Sequence, residues 1–266
     1  MKLLVAVDDT NAAGVALDWA CEFLRGEADD STAEVLHVWK PMESIGIDGF
    51  GLMLDSDYPA SSEQLLASLL REVGDPDAFH QAVGSGRPER SILLAAEDCD
   101  LVVMGTRSGG PARQALLGSM SQAVVSGARC PVVVVPETAP DPGGLSVVAW
   151  DDSPGSHAAL SWALEHRNHS MITVVHVRES ESETDESAVE RVRVEMLASH
   201  GHGGVDAAIE VLHGEVANTL VSAIEGGGEL VVGQRATFGP KDSIWGSVTS
   251  HVMSRSSRPV IVVPAG

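Results

Sequence analysis

Lysine is almost missing from this chain. Lys2, Lys40 and Lys241 are the only three, and arginine supplies the rest of the 17 basic residues, set against 38 acidic ones. With a formal net charge of -21 and no basic stripe, the sequence excludes extended contact with nucleic acid, because nothing in it displaces counterions from phosphates. Such an excess of carboxylates makes a chain repel itself at low salt, as halophile proteins do. We expect a salt-rich cytoplasm; the alternative is an ordinary acidic bacterial protein. Cysteine is scarce too: Cys21, Cys99 and Cys130 lack the paired spacing of a zinc site or redox dithiol. They read as buried small apolar residues in a reducing compartment. No apolar run is long enough to span a bilayer, and Met1 to Asp8 reads as neither signal peptide nor anchor. Membrane insertion is not expected.

The common catalytic signatures are missing as well. There is no Gly-Lys-Ser/Thr phosphate loop, no Gly-x-Ser-x-Gly elbow and no His-Glu-x-x-His helix. Ser108-Gly109-Gly110 is similar to the opening of an ATP pyrophosphatase loop, but it follows the fourth strand rather than the first and lacks the Asp-Ser continuation. His166/His169 and His200/His202 have no obvious third ligand and read as solvated loop residues, so no metal is expected.

The chain does contain the same pattern twice. Gly105-Thr106-Arg107-Ser108, nine residues and Gly118-Ser119-Met120-Ser121 return as Gly233-Gln234-Arg235-Ala236, nine residues and Gly246-Ser247-Val248-Thr249. Leu4 to Thr10 precedes the first copy and Val147 to Ser153 the second; Pro131 to Pro136 and Pro259 to Pro264 follow them. Equal spacing over such a length identifies a tandem repeat. With 44% apolar residues in 266, each copy can bury its own core. The Pro- and Gly-rich stretch between them places domain one at 1–138, a linker at 139–144 and domain two at 145–266.

Short β-rich runs alternate with helical patterns in both copies, which predicts parallel strands joined by crossover helices. Strands are expected at Lys2 to Val7, Ala33 to Val38, His80 to Val83, Asp100 to Met104 and Pro131 to Val135. Their counterparts are Ser146 to Trp150, Met171 to Val177, Ala207 to Val211, Glu229 to Val232 and Pro259 to Val263. Ala12, Ala13, Ala16, Leu17, Ala20 and Phe23 recur at helical spacing, and further helices are expected at Ser61 to Val73, Pro88 to Glu97 and Gly118 to Gly127. In the second copy they fall at Pro154 to His166, Glu186 to Ser199, Val216 to Glu225 and Gly246 to Ser254. The fold class is α/β: two doubly wound, Rossmann-like, five-stranded parallel sheets. Trp19 and Trp162 recur on the first helices and read as core, and His37 and His176 as a shared packing pair. The segment from Met42 to Tyr58 is extra to the first copy and reads as a lid, a contact surface or a disordered connection.

In such sheets ligands bind beyond the carboxyl ends of the strands, where Asp8 and Asp151 end the first strand and the glycine motifs follow the fourth. Gly105 and Gly233 let the backbone turn and a ligand come close. Gly118-Ser119 and Gly246-Ser247 open a helix whose free N–H groups suit an anion, with Ser121 and Thr249 adding hydroxyls. A carboxylate repels phosphate, so Asp8 and Asp151 suit ribose hydroxyls, a base N–H or a magnesium ion on the phosphates. The combination describes a nucleotide. The competing reading is purely structural: glycines punctuate turns, Ser and Thr cap helices, and Asp ends strands in proteins that bind nothing there.

The chain resembles the universal stress proteins in their tandem form, over nearly its whole length. In the nucleotide-binding branch of that family a strand-end Asp accompanies Gly, two residues, Gly, nine residues and Gly-Ser/Thr. The resemblance implies an adenine nucleotide alpha hydrolase-like fold that binds ATP or AMP. Asp8 and Asp151 would contact the adenosine, and Val38 and Val177 would offer main-chain groups to the base. Gly105, Ser108, Gly118, Ser119 and Ser121 would hold ribose and phosphate in the first domain, and Gly233, Gly246, Ser247 and Thr249 in the second. The middle glycine is replaced by Ser108 and by Ala236. The second copy keeps the closer Gly-Ser-Val-Thr ending, which favours it if one site alone is filled.

The resemblance further implies an intramolecular pseudo-dimer through the last strands, with a homodimer using another surface. The expected role is a stress-response sensor or regulator with no catalytic residues. One alternative is an interaction module with degenerate sites that regulates a protein partner such as a transporter; the other is a slow ATPase.

Overall fold

The computed structural model describes residues 1–27, 30–40, 57–106, 118–139, 144–166, 171–179, 192, 207–234 and 247–265. In the first half β1 (Lys2–Val7), β2 (Thr32–Trp39), β3 (Phe79–Ser85), β4 (Leu101–Thr106) and β5 (Val132–Pro136) alternate with α1 (Asn11–Gly26), α2 (Asp57–Glu72), α3 (Pro88–Ala95) and α4 (Ser119–Gly127). The second half repeats the order. Its strands are β6 (Leu145–Trp150), β7 (Met171–Arg178), β8 (Ala207–His213), β9 (Glu229–Gly233) and β10 (Val260–Val263), with helices α5 (Pro154–His166), α6 (Val216–Ile224) and α7 (Ser247–Arg255) among the described residues. The helix expected over Glu186 to Ser199 lies outside them except for Val192, as does the extra segment from Met42 to Tyr58 except for its last two residues, which open α2.

All ten strands join one sheet in the order β3-β2-β1-β4-β5-β10-β9-β6-β7-β8. Within each half the strands pair in parallel, and β5 meets β10 antiparallel, with Val134 opposite Val260 and Val132 opposite Val262. The pseudo-dimer seam is thus made by the last strands of the two copies. Central strands such as β1, β4 and β5 are covered on both faces and are nearly continuous Val, Leu and Met, as buried parallel strands require. Alternate residues feed two apolar layers. Leu3, Val103, Val133, Val148 and Ile261 face one, and Leu4, Val102, Val134, Val147 and Val262 the other, so each layer runs across the seam.

The predicted stripe of α1 is buried as expected, and so are Trp19 and Cys21, with Trp19 reaching the second half as well as its own sheet. Trp19 stacks on Phe23 at 5.1 Å and Phe23 on Trp162 of α5 at 6.2 Å. The ring of His166 lies 5.3 Å from that of Trp162, and its Nδ1 is 3.4 Å from Glu27 Oε1. Across the seam the indole N–H of Trp19 donates to Oε2 of Glu229 at 3.2 Å, while the Ser146 hydroxyl donates to Oε1 at 2.8 Å. Glu229 is completely buried, at the N-terminal end of β9.

Candidate functional site

A cavity opens at the carboxyl ends of the strands in each half. The chain leaves β1 through Asp8, whose Oδ1 accepts from the Thr10 backbone N–H at 3.1 Å and from the Thr10 hydroxyl at 2.5 Å. In the second half the Ser153 N–H donates to Asp151 Oδ1 at 3.1 Å, and the Ser156 N–H donates to Ser153 Oγ at 3.2 Å. One oxygen of each aspartate therefore closes an Asx turn just ahead of the helix, a turn that Asp forms widely. Asp152 takes a left-handed φ of 63° in this turn, and its Oδ1 lies 3.2 Å from His157 Nε2.

Gly105 and Gly233 end β4 and β9, but their glycine requirement comes from a helix rather than from a ligand. A Cβ on Gly105 would lie 2.3 Å from the Ala12 carbonyl oxygen, and one on Gly233 would lie 2.1 Å from the backbone of Gly155. The strand end and helix start touch here, and only glycine lets them. Gly118 differs. It precedes α4 as an exposed residue, and a Cβ added there would enter open space.

The first cavity has a volume of about 650 Å³, and Asp8, His37, Val38, Trp39, Lys40, Gly105 and Met120 border it, with Ser61 and Ser62 of α2 on one side. The second has about 160 Å³ and is bordered by Trp150, Asp151, Val177, Gly233, Val248 and Thr249 among others. The fold thus gathers Asp8, Val38 and Gly105 in one recess, and Asp151, Val177, Gly233 and Thr249 in the other. Ser121 is buried within α4, and its neighbour Met120 borders the cavity instead. Ser119 and Ser247 open their helices. Ser108, Ala236 and Gly246 lie outside the described residues.

Trp39 and Lys40 were not singled out by the sequence pattern. The available signal was the rarity of lysine, one of three falling just past the strand-end Val38. His37 borders the first cavity, and its Nδ1 is buried with no hydrogen-bond partner among the described residues. Burial holds its pKa below the ordinary histidine value, against the pull of Asp8 and Asp9. His176, its counterpart, places Nδ1 3.0 Å from the Trp150 carbonyl oxygen. Among the described residues no group of three or more His, Cys, Asp or Glu is gathered to hold a metal ion, and no helix is long and apolar enough to cross a membrane.

The sequence profile of the Universal stress protein family matches residues 1–136 and again 147–264. A universal stress protein of Mycobacterium tuberculosis is 26% identical over 98% of this chain and 96% of its own length. Another, of Thermus aquaticus, is 54% identical over 52 residues, which are 19% of this chain and 38% of that protein. The crystal structure of a universal stress protein from Archaeoglobus fulgidus has the same fold, with a TM-score of 0.76 at 20% identity, covering 100% of this chain and 98% of that one. With the profile matched once in each half, the chain belongs to the universal stress protein family as a tandem of two of its domains.

Proposed function

We propose that the chain binds an adenine nucleotide, ATP or AMP, and works as a sensor or regulator in a stress response rather than through fast chemistry. The observation that carries this reading is the recess of about 650 Å³ at the carboxyl ends of β1, β2 and β4, where Asp8, Val38 and Gly105 meet. Its size suits a small-molecule site, and its position is where open α/β sheets take ligands. A carboxylate there suits ribose hydroxyls, and the uncovered start of α4 suits a phosphate, with magnesium shared between protein and phosphates. Occupancy changes the protein's shape or surface to the extent that its states bind the nucleotide differently.

The test is calorimetric titration of ATP and AMP into nucleotide-stripped protein in molar KCl with magnesium, for the natural chain, Asp8→Ala and Asp151→Ala. The expected result is saturable binding that one substitution removes. No heat at millimolar ligand in the natural chain would favour the interaction-module reading, to which the smaller second cavity lends itself.

A further inference from the structure

We infer that the two halves are specialised: the first cavity takes a phosphorylated nucleotide, with Trp39 offering a face to the base and Lys40 a cation to the phosphates, and the second takes none. The inference rests on the nucleotide reading and adds to it a stoichiometry of one and two specificity-determining residues.

The correspondence between the halves follows from strand register. Val7 pairs with His37 across β1 and β2 as Trp150 pairs with His176 across β6 and β7, so His37 and His176 are equivalent. Counting on, Val38 matches Val177, Trp39 matches Arg178 and Lys40 matches Glu179. The strand end that supplies an aromatic ring and an ammonium group to the first cavity supplies a guanidinium and a carboxylate in the second half. Neither Arg178 nor Glu179 is among the described residues bordering the second cavity, which include no cation at all.

Size points the same way. Ligand sites generally occupy about 300–1,000 Å³, a range that holds the first cavity and not the second. The bulky Trp150, 3% exposed, stands in the second wall where the first has Val7. An indole face is a sequence-tolerant platform for a base, and an ammonium is a point charge for phosphate. The first recess therefore divides its polarity, carboxylates toward hydroxyls and Lys40 toward phosphate. This order of preference is the reverse of the one suggested by the better motif match of the second copy.

The test is calorimetry on the full chain in about 0.1 M KCl, where surface charge is screened less than in molar salt, with ATP and with adenosine as titrants. The variants are Lys40→Glu and Trp39→Arg, each converting the first half toward the second; Lys40 is exposed, so its replacement leaves the core intact. One equivalent of ATP is expected. Lys40→Glu should weaken ATP by about tenfold or more and adenosine by less than about twofold, while Trp39→Arg should weaken both by about tenfold. A stoichiometry near two, or a Lys40→Glu variant that leaves ATP unchanged or moves ATP and adenosine alike, overturns the specialisation while leaving nucleotide binding in place. No binding of either titrant to the natural chain overturns the nucleotide reading as well.

Discussion

Trp19 and Trp162 occupy the same position on the first helix of each half, yet their indole N–H groups meet different fates. That of Trp19 crosses the seam to Glu229, whereas that of Trp162 is buried with no hydrogen-bond partner among the described residues. The difference lies in the facing strands. Counting back from the strand-end glycines, Glu229 holds the place in β9 that Leu101 holds in β4. A buried acid serving two donors from two elements is costly to place and costly to disturb. The two copies have kept their fold and parted in a polar group buried at the seam and in the partly exposed residues of the strand ends.

The comparison breaks most sharply where the halves are still alike. Gly233→Ala and Gly105→Ala both drive a Cβ into backbone and should each lower stability by about 3 kcal/mol in urea titration, at the upper end of overpacking costs. A marked inequality between them would show that one half absorbs the clash by moving its helix. Glu229→Leu, which makes the second half resemble the first, should cost about 2 kcal/mol, because Trp19 Nε1 and Ser146 Oγ lose their acceptor together. Adding Trp19→Phe should recover part of that loss in a double-mutant cycle; strict additivity would mean the cross-seam bond does not couple the halves.

Acidity separates the halves more gently. Because the folded chain holds His37 below its ordinary pKa, the unfolded chain takes up the proton first as pH falls. Stability on this account is full above the ordinary histidine value of about 6.5, declines as pH drops toward the lower folded value and is level beneath it. His37→Gln should flatten that slope in urea midpoints taken between about pH 5 and 7.5; an unchanged slope would assign it to other groups. The smallest effect is expected from alkylation. All three cysteines belong to the first half and are buried, and burial raises the Cys130 thiol to about 11 and pushes Cys99 up as well. Iodoacetamide at about pH 8 should label the native chain negligibly, since thiolate is the reactive form. Rapid labelling would reveal a first half that opens by itself.

The ten strands and the first-helix stripes are visible in the sequence because buried parallel strands and sandwiched helices leave strong apolar patterns. The expected strand ends fall within two residues of those observed. The misses gather at the carboxyl ends: Gly84-Ser85, Gly105-Thr106 and Leu212-His213 extend their strands. Polar and glycine residues read as loop there, yet that end of the sheet borders the cavities, where such residues belong. The candidate recess itself was partly legible. Asp8 and Gly105 meet at the strand ends, as their places in the repeat lead one to expect, and Val38, singled out by the family resemblance alone, borders the same recess. The glycine's reason is a helix start at Ala12, a contact no local pattern announces. Glu229 was harder still. Its indole partner lies 210 residues away, so nothing near it in sequence signals a role other than that of an acidic residue starting a strand.

The antiparallel meeting of β5 and β10 joins two sheets that one chain already carries. Tethered partners experience an effective concentration fixed by their linker, whatever the number of molecules in solution. Closing this seam is a first-order event. Dilution, which separates a pair of independent chains, leaves the ten-stranded sheet whole, and the ratio of its two unlike halves is held at one to one in every molecule.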